Sequence, residues 1–269
     1  MNRLRLASRQ VCKLSDNADH AFAAQHTLCH YPSNSIYTFI PKNGCTSIRF
    51  ALARGNGCIE GVSEFQWIHQ NNRTFTASLR ETVTADYSFV ILRCPFRRIV
   101  SFYLDKVVKG IAPATQLIAT ENHTGSHLPL EQMSFEHLIE LLKDEAIRKR
   151  NNHWRNQSDF LVLKEYGDYF CLENMAEAID MIRSKTGLEI MDTRNISKHG
   201  TSHLEKVSSG YFGNESARQL RELISNGKVP SYETMYKKVT RDIVKEVYAD
   251  DIALYLEHFS ECNLLFPME

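Results

Sequence analysis

Residues 35–49, SIYTFIPKNGCTSIR, constrain this chain more than any other stretch. Ile36, Tyr37, Phe39 and Ile40 are β-branched or aromatic and Pro41 ends the run, so 36–40 reads as a short buried strand. Lys42, Asn43 and Gly44 follow as a tight loop. Cys45, Thr46 and Ser47 then open a helical pattern continued by Ile48, Phe50, Ala51 and Leu52. A strand, a glycine-containing loop with a lysine, and hydroxyl residues at a helix start together make a site for an anion. The first N–H groups of a helix lack intrahelical partners, and the dipole there favours negative charge. Lys42 adds a full positive charge. The spacing is not that of a nucleoside-triphosphate loop, because the lysine precedes the glycine and GxxxxGK[ST] is absent. Taken alone, the stretch also suits an ordinary strand–turn–helix with Lys42 in water.

A second stretch tips the balance. Residues 87–92 (YSFVIL) form another apolar strand, running into Arg93-Cys94-Pro95-Phe96-Arg97-Arg98-Ile99-Val100-Ser101-Phe102-Tyr103. Pro95 suits the first position of a helix. Arg93 therefore stands at the strand's carboxyl end, where open α/β sheets bind ligands, with Ser101 further along the helix.

The two stretches resemble the sulfotransferases that use 3′-phosphoadenosine 5′-phosphosulfate (PAPS). The 5′-phosphosulfate loop of that family reads like PK-x-x-C/G-T/S-[ST], matched by Pro41, Lys42, Cys45, Thr46 and Ser47. Its 3′-phosphate motif reads like R-x-P-[FY]-x-R-x-x-S-x-Y, matched by Arg93, Pro95, Phe96, Arg98, Ser101 and Tyr103. His153-Trp154-Arg155-Asn156-Gln157 is similar to the H-W-R-P-Q signature of the membrane-type carbohydrate branch (chondroitin- and dermatan-like), with Asn156 in place of proline. Residues 169–174 (YFCLEN) and 248–255 (YADDIALY) are similar to a strand and the terminal helix of that branch. The likeness runs in order from about residue 36 to 259. It implies a P-loop-like three-layer α/β/α fold with a central parallel sheet and additional C-terminal helices. It also implies PAPS as co-substrate, no metal, and an acceptor hydroxyl, with carbohydrate favoured.

Composition is that of an ordinary soluble protein. The chain's 269 residues suit one large α/β domain, and 43% hydrophobic with 24% charged residues is ordinary. Thirty-two basic and thirty-two acidic residues leave no net charge, so nothing argues for nucleic acid as a partner. No run has the length of a membrane span. The basic first twenty residues lack an apolar core, so they are no signal peptide. Seven cysteines without a CxxC pair read as free thiols in a reducing compartment. The expected location is the cytoplasm, and the sequons at Asn72, Asn122, Asn156, Asn195 and Asn214 are then chance matches. The alternative is a luminal domain trimmed of its anchor.

In chain order, residues 1–35 read as an arm packed on a single domain spanning 36–269. Gly55-Asn56-Gly57 closes the first helix. Within 63–69 (SEFQWIH) the resemblance nominates His69 as general base, because in several subfamilies a His or Glu upstream of the 3′-phosphate arginine takes the acceptor's proton. An unperturbed pKa near ~6.5 suits that task; Glu64 is a weaker candidate, and a surface or capping histidine is the plain alternative. The helix after Pro95 is expected to reach about Lys109. Residues 110–133 read as a long loop bordering the acceptor site, or as a disordered insertion. Ser134 caps a helix over 135–149. His153 is a second candidate base, and Trp154 either stacks on adenine or a sugar ring or anchors its loop; Arg155 faces an anion. Strands are expected at 160–163 and 169–172, and a helix at 174–185 ending at Thr186-Gly187. Lys198, His199, His203 and Lys206 lie in an irregular basic stretch; the resemblance implies a loop that closes over the nucleotide there, and a merely solvated basic loop is the plain alternative. Helices at 215–225 and 240–257 finish the chain.

The donor-binding set is thus Pro41, Lys42, Asn43, Gly44, Cys45, Thr46, Ser47, Arg93, Ser101 and Trp154, with Lys42, His69 and His153 as catalytic candidates. Two other readings compete: a P-loop-type kinase using ATP, which would need magnesium ligands, and a non-catalytic nucleotide- or carbohydrate-binding module. Cys94 and Arg97, at positions where the family carries other residue types, leave room for the module.

Overall fold

A computed structural model describes residues 1–9, 11–71, 73–112, 114–115, 117, 128–193, 196 and 203–268. In chain order, with short turns omitted, the elements are α1 (Ala18–Gln25), β1 (Thr27–His30), β2 (Ser35–Thr38), α2 (Cys45–Gly55), α3 (Trp67–Gln70), α4 (Leu79–Thr84), β3 (Tyr87–Leu92), α5 (Pro95–Phe102), α6 (Phe135–Leu141), α7 (Glu145–Lys149), β4 (Asp168–Cys171), α8 (Met175–Thr186), β5 (Glu205–Val207), α9 (Ala217–Ser225), β6 (Lys228–Pro230), α10 (Lys238–Val247) and α11 (Ala249–His258). The protein is mixed α/β. Its described residues form two compact units, 1–93 with 157–198 and 94–156 with 199–269.

The first unit is built on a four-stranded sheet of order β1-β2-β3-β4. β1 and β2 are antiparallel, while β2, β3 and β4 run parallel in register, with Thr38 opposite Val90 and Leu92 opposite Cys171. The apolar run of β3 has a physical reason: Phe89, Val90, Ile91 and Leu92 are all buried, so both faces of the strand are covered. On one face Tyr37 stacks on Phe89 at 5.0 Å, and both join a core with Ile48 and Leu52 of α2 and Ala178 and Ile182 of α8. On the other face Thr38 hydrogen-bonds Tyr166 at 2.7 Å. The segment leading to Tyr166 meets α1 through Phe22 and Phe160, ring centroids 4.9 Å apart.

Within the expected arm lie both a helix, α1, and the strand β1. The outer edge of β1 pairs with residues 75–77, through Cys29 N–H to Phe75 O and Ala77 N–H to Thr27 O, each 2.8 Å. The expected strand over 160–163 does not form. Those residues are buried, but their backbone pairs with the N-terminus instead of the sheet: Arg5 N–H donates to Val162 O and Lys164 N–H to Arg3 O, both at 2.8 Å. Leu172, expected to close the last strand, instead begins a short turn leading to α8.

The second unit packs helices around aromatic side chains. Tyr236 meets the rings of Phe96, Phe135 and Phe266 edge-on, and its hydroxyl donates to Phe96 O at 2.8 Å. The helix after Pro95 is regular only to Phe102 and continues as a π turn over Tyr103–Val107. Ser134 caps α6 by accepting from His137 N–H. The expected helix 135–149 is interrupted after Leu141 and restarts at Glu145, capped by Asp144. The expected final helix 240–257 is likewise divided at Tyr248, whose hydroxyl is drawn inward to donate to Trp154 O at 2.6 Å.

Among the described residues no helix is long and apolar enough to cross a membrane. All seven cysteines are free thiols.

Trp154 locks the second unit. It is 1% exposed, packs on Phe102 at 5.1 Å, and donates its indole N–H to Ile147 O at 2.8 Å. Trp154→Ala should therefore cost about 3–5 kcal/mol, with the indole's lost hydrogen bond included. Urea unfolding followed by circular dichroism checks this, and Trp154→Phe should lose clearly less.

Candidate functional site

The parallel strands of the first unit end side by side, and three segments leave from those ends: residues 41–47 after β2, Arg93 after β3, and Leu172-Glu173 after β4. This is the edge of an α/β sheet at which ligands bind. Its geometry begins with the loop. Asn43 N–H donates to Ile40 O at 3.2 Å, closing a turn with Pro41 second and Lys42 third. Lys42 has φ +73°, the left-handed value that the third position of a type II turn requires. A lysine there costs about 1–2 kcal/mol relative to glycine. Strain of this kind concentrates at functional positions.

Gly44 also has a positive φ, +74°, and immediately precedes α2. No side chain caps the first turn of α2, so its leading N–H groups face outward from a helix N-terminus. Cys45, Thr46 and Ser47 occupy that turn, each partly exposed. Ser47 Oγ lies 2.8 Å from Thr193 Oγ1, which ties the turn to the segment after α8. Beneath it is Tyr37. Its hydroxyl has no hydrogen-bond partner among the described residues, and burial pushes its pKa well above the usual tyrosine value, with Cys45 adding and Arg49 opposing. Tyr37 therefore stays neutral under the loop.

The two cationic residues singled out from sequence are adjacent. Arg93 donates from Nη1 to Lys42 O at 2.8 Å. Gln157, 1% exposed, joins the same two segments. Its Oε1 accepts from Arg93 N–H at 3.0 Å and from Asn43 Nδ2 at 2.6 Å, and its Nε2 donates to Arg93 O at 2.9 Å. Asn43 Nδ2 also donates to Ile91 O at 2.9 Å. These bonds orient the Asn43 amide, because a flipped amide would set Oδ1 against two acceptors. Asn43 Oδ1, fully buried, has no partner among the described residues.

The remaining predicted residues are placed as follows. His69 is exposed on α3, its ring edge-on to Phe65 at 5.7 Å, and Arg49 of α2 hydrogen-bonds Ile68 O beside it. The Glu64 carboxylate accepts from Glu60 N–H at 2.7 Å, so it holds its own turn. Ser101, His153 and Trp154 belong to the second unit. There Ser101 lies on α5 next to Phe102, whose ring is 6.3 Å from His153 and 5.1 Å from Trp154. His153 Nδ1 is 2.9 Å from Asn151 Oδ1. Trp154 is a correction: its buried indole anchors the loop and presents no face for a base or sugar to stack on. Arg155, expected to face an anion, is itself buried and points a guanidinium N–H at Lys149 O, 3.4 Å away. Lys198 and His199, with most of the central part of the 110–133 loop, lie outside the described residues. His203 and Lys206 are exposed.

Two residues inside the matched motifs carry roles that sequence reasoning passed over. Arg98, 3% exposed, donates to Arg155 O at 2.7 Å and Asn152 O at 3.0 Å, so it fastens the His153–Arg155 loop to α5. It also acts on Tyr248. Burial raises that phenol's pKa, Arg98 opposes the rise and Asp251 adds to it. Gln157 is the other; its position at the end of H-W-R-N-Q was the available signal. Among the described residues, no group of three or more His, Cys, Asp or Glu could hold a metal ion.

The strand ends of the first unit thus carry a glycine-containing loop at a helix N-terminus, with an arginine from the neighbouring strand bonded to it. The profile described as "Sulfotransferase family" matches residues 25–256, and the chain belongs to that family. No curated protein and no solved structure matches it.

Gly44 gives a direct test of the loop. A Cβ there would lie 2.8 Å from Leu172 Cδ1, a contact that rotation of the leucine relieves, whereas the left-handed backbone cannot be relieved. Gly44→Ala should thus cost about 1–2 kcal/mol, and Leu172→Ala in the same chain should not restore it. Urea midpoints of the two variants and of Leu172→Ala alone provide the measurement.

Proposed function

We propose that this protein transfers the sulfuryl group of PAPS to a hydroxyl of a carbohydrate acceptor, on a P-loop-like scaffold. Membership of the sulfotransferase family supports sulfuryl transfer. The donor assignment rests on one observation above the others, the hydrogen bond from the Arg93 guanidinium to the Lys42 carbonyl. It joins the residue that the motifs give to the 5′-phosphosulfate with the one they give to the 3′-phosphate. The fit is supported by the uncapped start of α2, the left-handed Lys42 and Gly44, and the buried acceptor of Asn43.

PAPS, when bound, supplies an activated sulfuryl group on a phosphate leaving group that gathers negative charge as the bond breaks. Lys42 and the first N–H groups of α2 are fixed donors for that charge, and such preorganised donors are usually the largest contribution to rate. Arg93 offers a planar fork suited to phosphate. Ser101 adds a hydroxyl to the same motif. His69 and His153 are the candidates for taking the acceptor's proton, imidazole being a base suited to that task. The carbohydrate acceptor rests on the H-W-R-N-Q, YFCLEN and YADDIALY resemblances.

Transfer of radiolabelled sulfate from PAPS to a panel of desulfated polysaccharides, simple sugars and phenols tests the reading. Lys42→Ala should lower turnover about 10²–10³-fold while 3′-phosphoadenosine 5′-phosphate still raises the melting temperature. Arg93→Ala should chiefly raise the PAPS concentration needed. Of His69→Ala and His153→Ala, the variant lacking the base should lose the acid limb of the pH–rate profile. Near-normal turnover by Lys42→Ala, or stabilisation by ATP with magnesium but not by 3′-phosphoadenosine 5′-phosphate, would overturn the proposal.

A further inference from the structure

The hydrogen bonds around Gln157 close a circuit. From the Lys42 carbonyl it passes to the Arg93 guanidinium, through the Arg93 backbone to the Gln157 amide, on to the Asn43 amide, and back along the chain to Lys42. Each link has the geometry of a full hydrogen bond. Beyond the last residue of β3, the side-chain amide of Gln157 pairs with both polar groups of the Arg93 backbone, as a neighbouring strand would. It thereby prolongs the order of the sheet by one residue, and that residue is the arginine. The third bond reaches the loop after β2. One buried side chain thus governs the distance between the two cationic positions, although it lies far from both in sequence.

We infer that Gln157 is a positioning residue that sets the spacing of Lys42 and Arg93, and through it the preference for a nucleotide carrying a 3′-phosphate as well as a 5′-phosphate. The inference rests on the donor-site reading proposed above. Gln157 need not touch the nucleotide. An apolar side chain of similar length would fill the same space but remove the link between the Arg93 backbone and Asn43, leaving the guanidinium bond to Lys42 O as the tie to the loop. The 5′-phosphate station, built from α2 and its own turn, would survive, while the 3′ station would lose its register. A residue needed only for folding would weaken every nucleotide alike.

The experiment compares the dissociation constants of 3′-phosphoadenosine 5′-phosphate and of 5′-AMP by titration calorimetry, in the full chain and in Gln157→Met. The expected result is a drop of about tenfold in the preference for the 3′-phosphorylated nucleotide, the worth of about one to two of the three hydrogen bonds removed. The affinity for 5′-AMP should be nearly unchanged. An unaltered preference, or equal weakening of both nucleotides, overturns the inference and leaves the donor site standing. A full chain that shows no preference for the 3′-phosphorylated nucleotide overturns the donor-site reading and this inference with it. If Gln157→Met does not fold, the same ratio is read in Gln157→Glu. That variant keeps the acceptor for Arg93 and Asn43 but sets a carboxylate oxygen against Arg93 O, and its preference should fall as well; an unchanged ratio there overturns the inference too.

Discussion

Parallel pairing in register is the constraint on which the first unit depends. Because β2 and β3 run the same way with Thr38 opposite Val90, their carboxyl ends finish at one edge, and whatever follows each strand is delivered to the same place. An antiparallel pair would have sent the 41–47 loop and Arg93 to opposite edges. The bond between the Arg93 guanidinium and the Lys42 carbonyl is the local result of a decision taken by the whole sheet. The cost of that topology is a crossover between the strands. It is met by α2, α3 and α4, the first of which is also the helix whose N-terminus faces the loop.

The loop itself is held at some expense in free energy. Lys42 occupies a left-handed conformation, and the fully buried Asn43 leaves its carbonyl oxygen without a partner among the described residues. Each is worth about 1–3 kcal/mol against the fold. Opposing them are the packed faces of β2 and β3, where Tyr37, Phe89 and Ile91 are buried against α2 and α8. Burial of side chains of that size contributes about 1.5–3 kcal/mol each, so the core outweighs the loop's strain. On the donor-site reading proposed above, a loop set beforehand would not have to reorganise as charge develops beside it, which is what electrostatic stabilisation needs.

What could be read from sequence was local. The strand–loop–helix at 35–55, the strand 87–92 with Pro95 opening the next helix, the Ser134 cap and the Thr186-Gly187 stop all depend on neighbouring residues, and all formed within a few positions of expectation. What escaped was non-local. β1 is four residues long with Thr and His at its ends, too short to announce itself, and it exists because β2 and residues 75–77 pair with it from either side. The apolar run at 160–163 looks like a strand in one dimension, but its backbone pairs with the N-terminus and not with a sheet edge. Both over-long helices, 135–149 and 240–257, were divided by tertiary demands, the second where Tyr248 reaches Trp154. Lys42 and Arg93 could be singled out because charge and motif mark them, and the structure brings them together. Gln157 was marked only by its place at the end of H-W-R-N-Q, since a neutral amide in a polar run does not announce the three bonds it will make. Trp154 misled for a related reason: its polar neighbours suggested an exposed ring, when Arg98 and Tyr248 were in fact satisfying the backbone around a buried one.

The π turn at Tyr103–Val107 amounts to one surplus residue wound into α5's continuation, with Asp105 bridging to Lys106 and Lys109 at 3.2 and 3.0 Å. Removing that surplus would return the coil to ordinary pitch and swing everything downstream by about 100°, while Ser101, on the upstream side, would keep its bearing. Such an insertion acts as a swivel: it sets the direction in which the chain leaves Val107 without disturbing the residues before it.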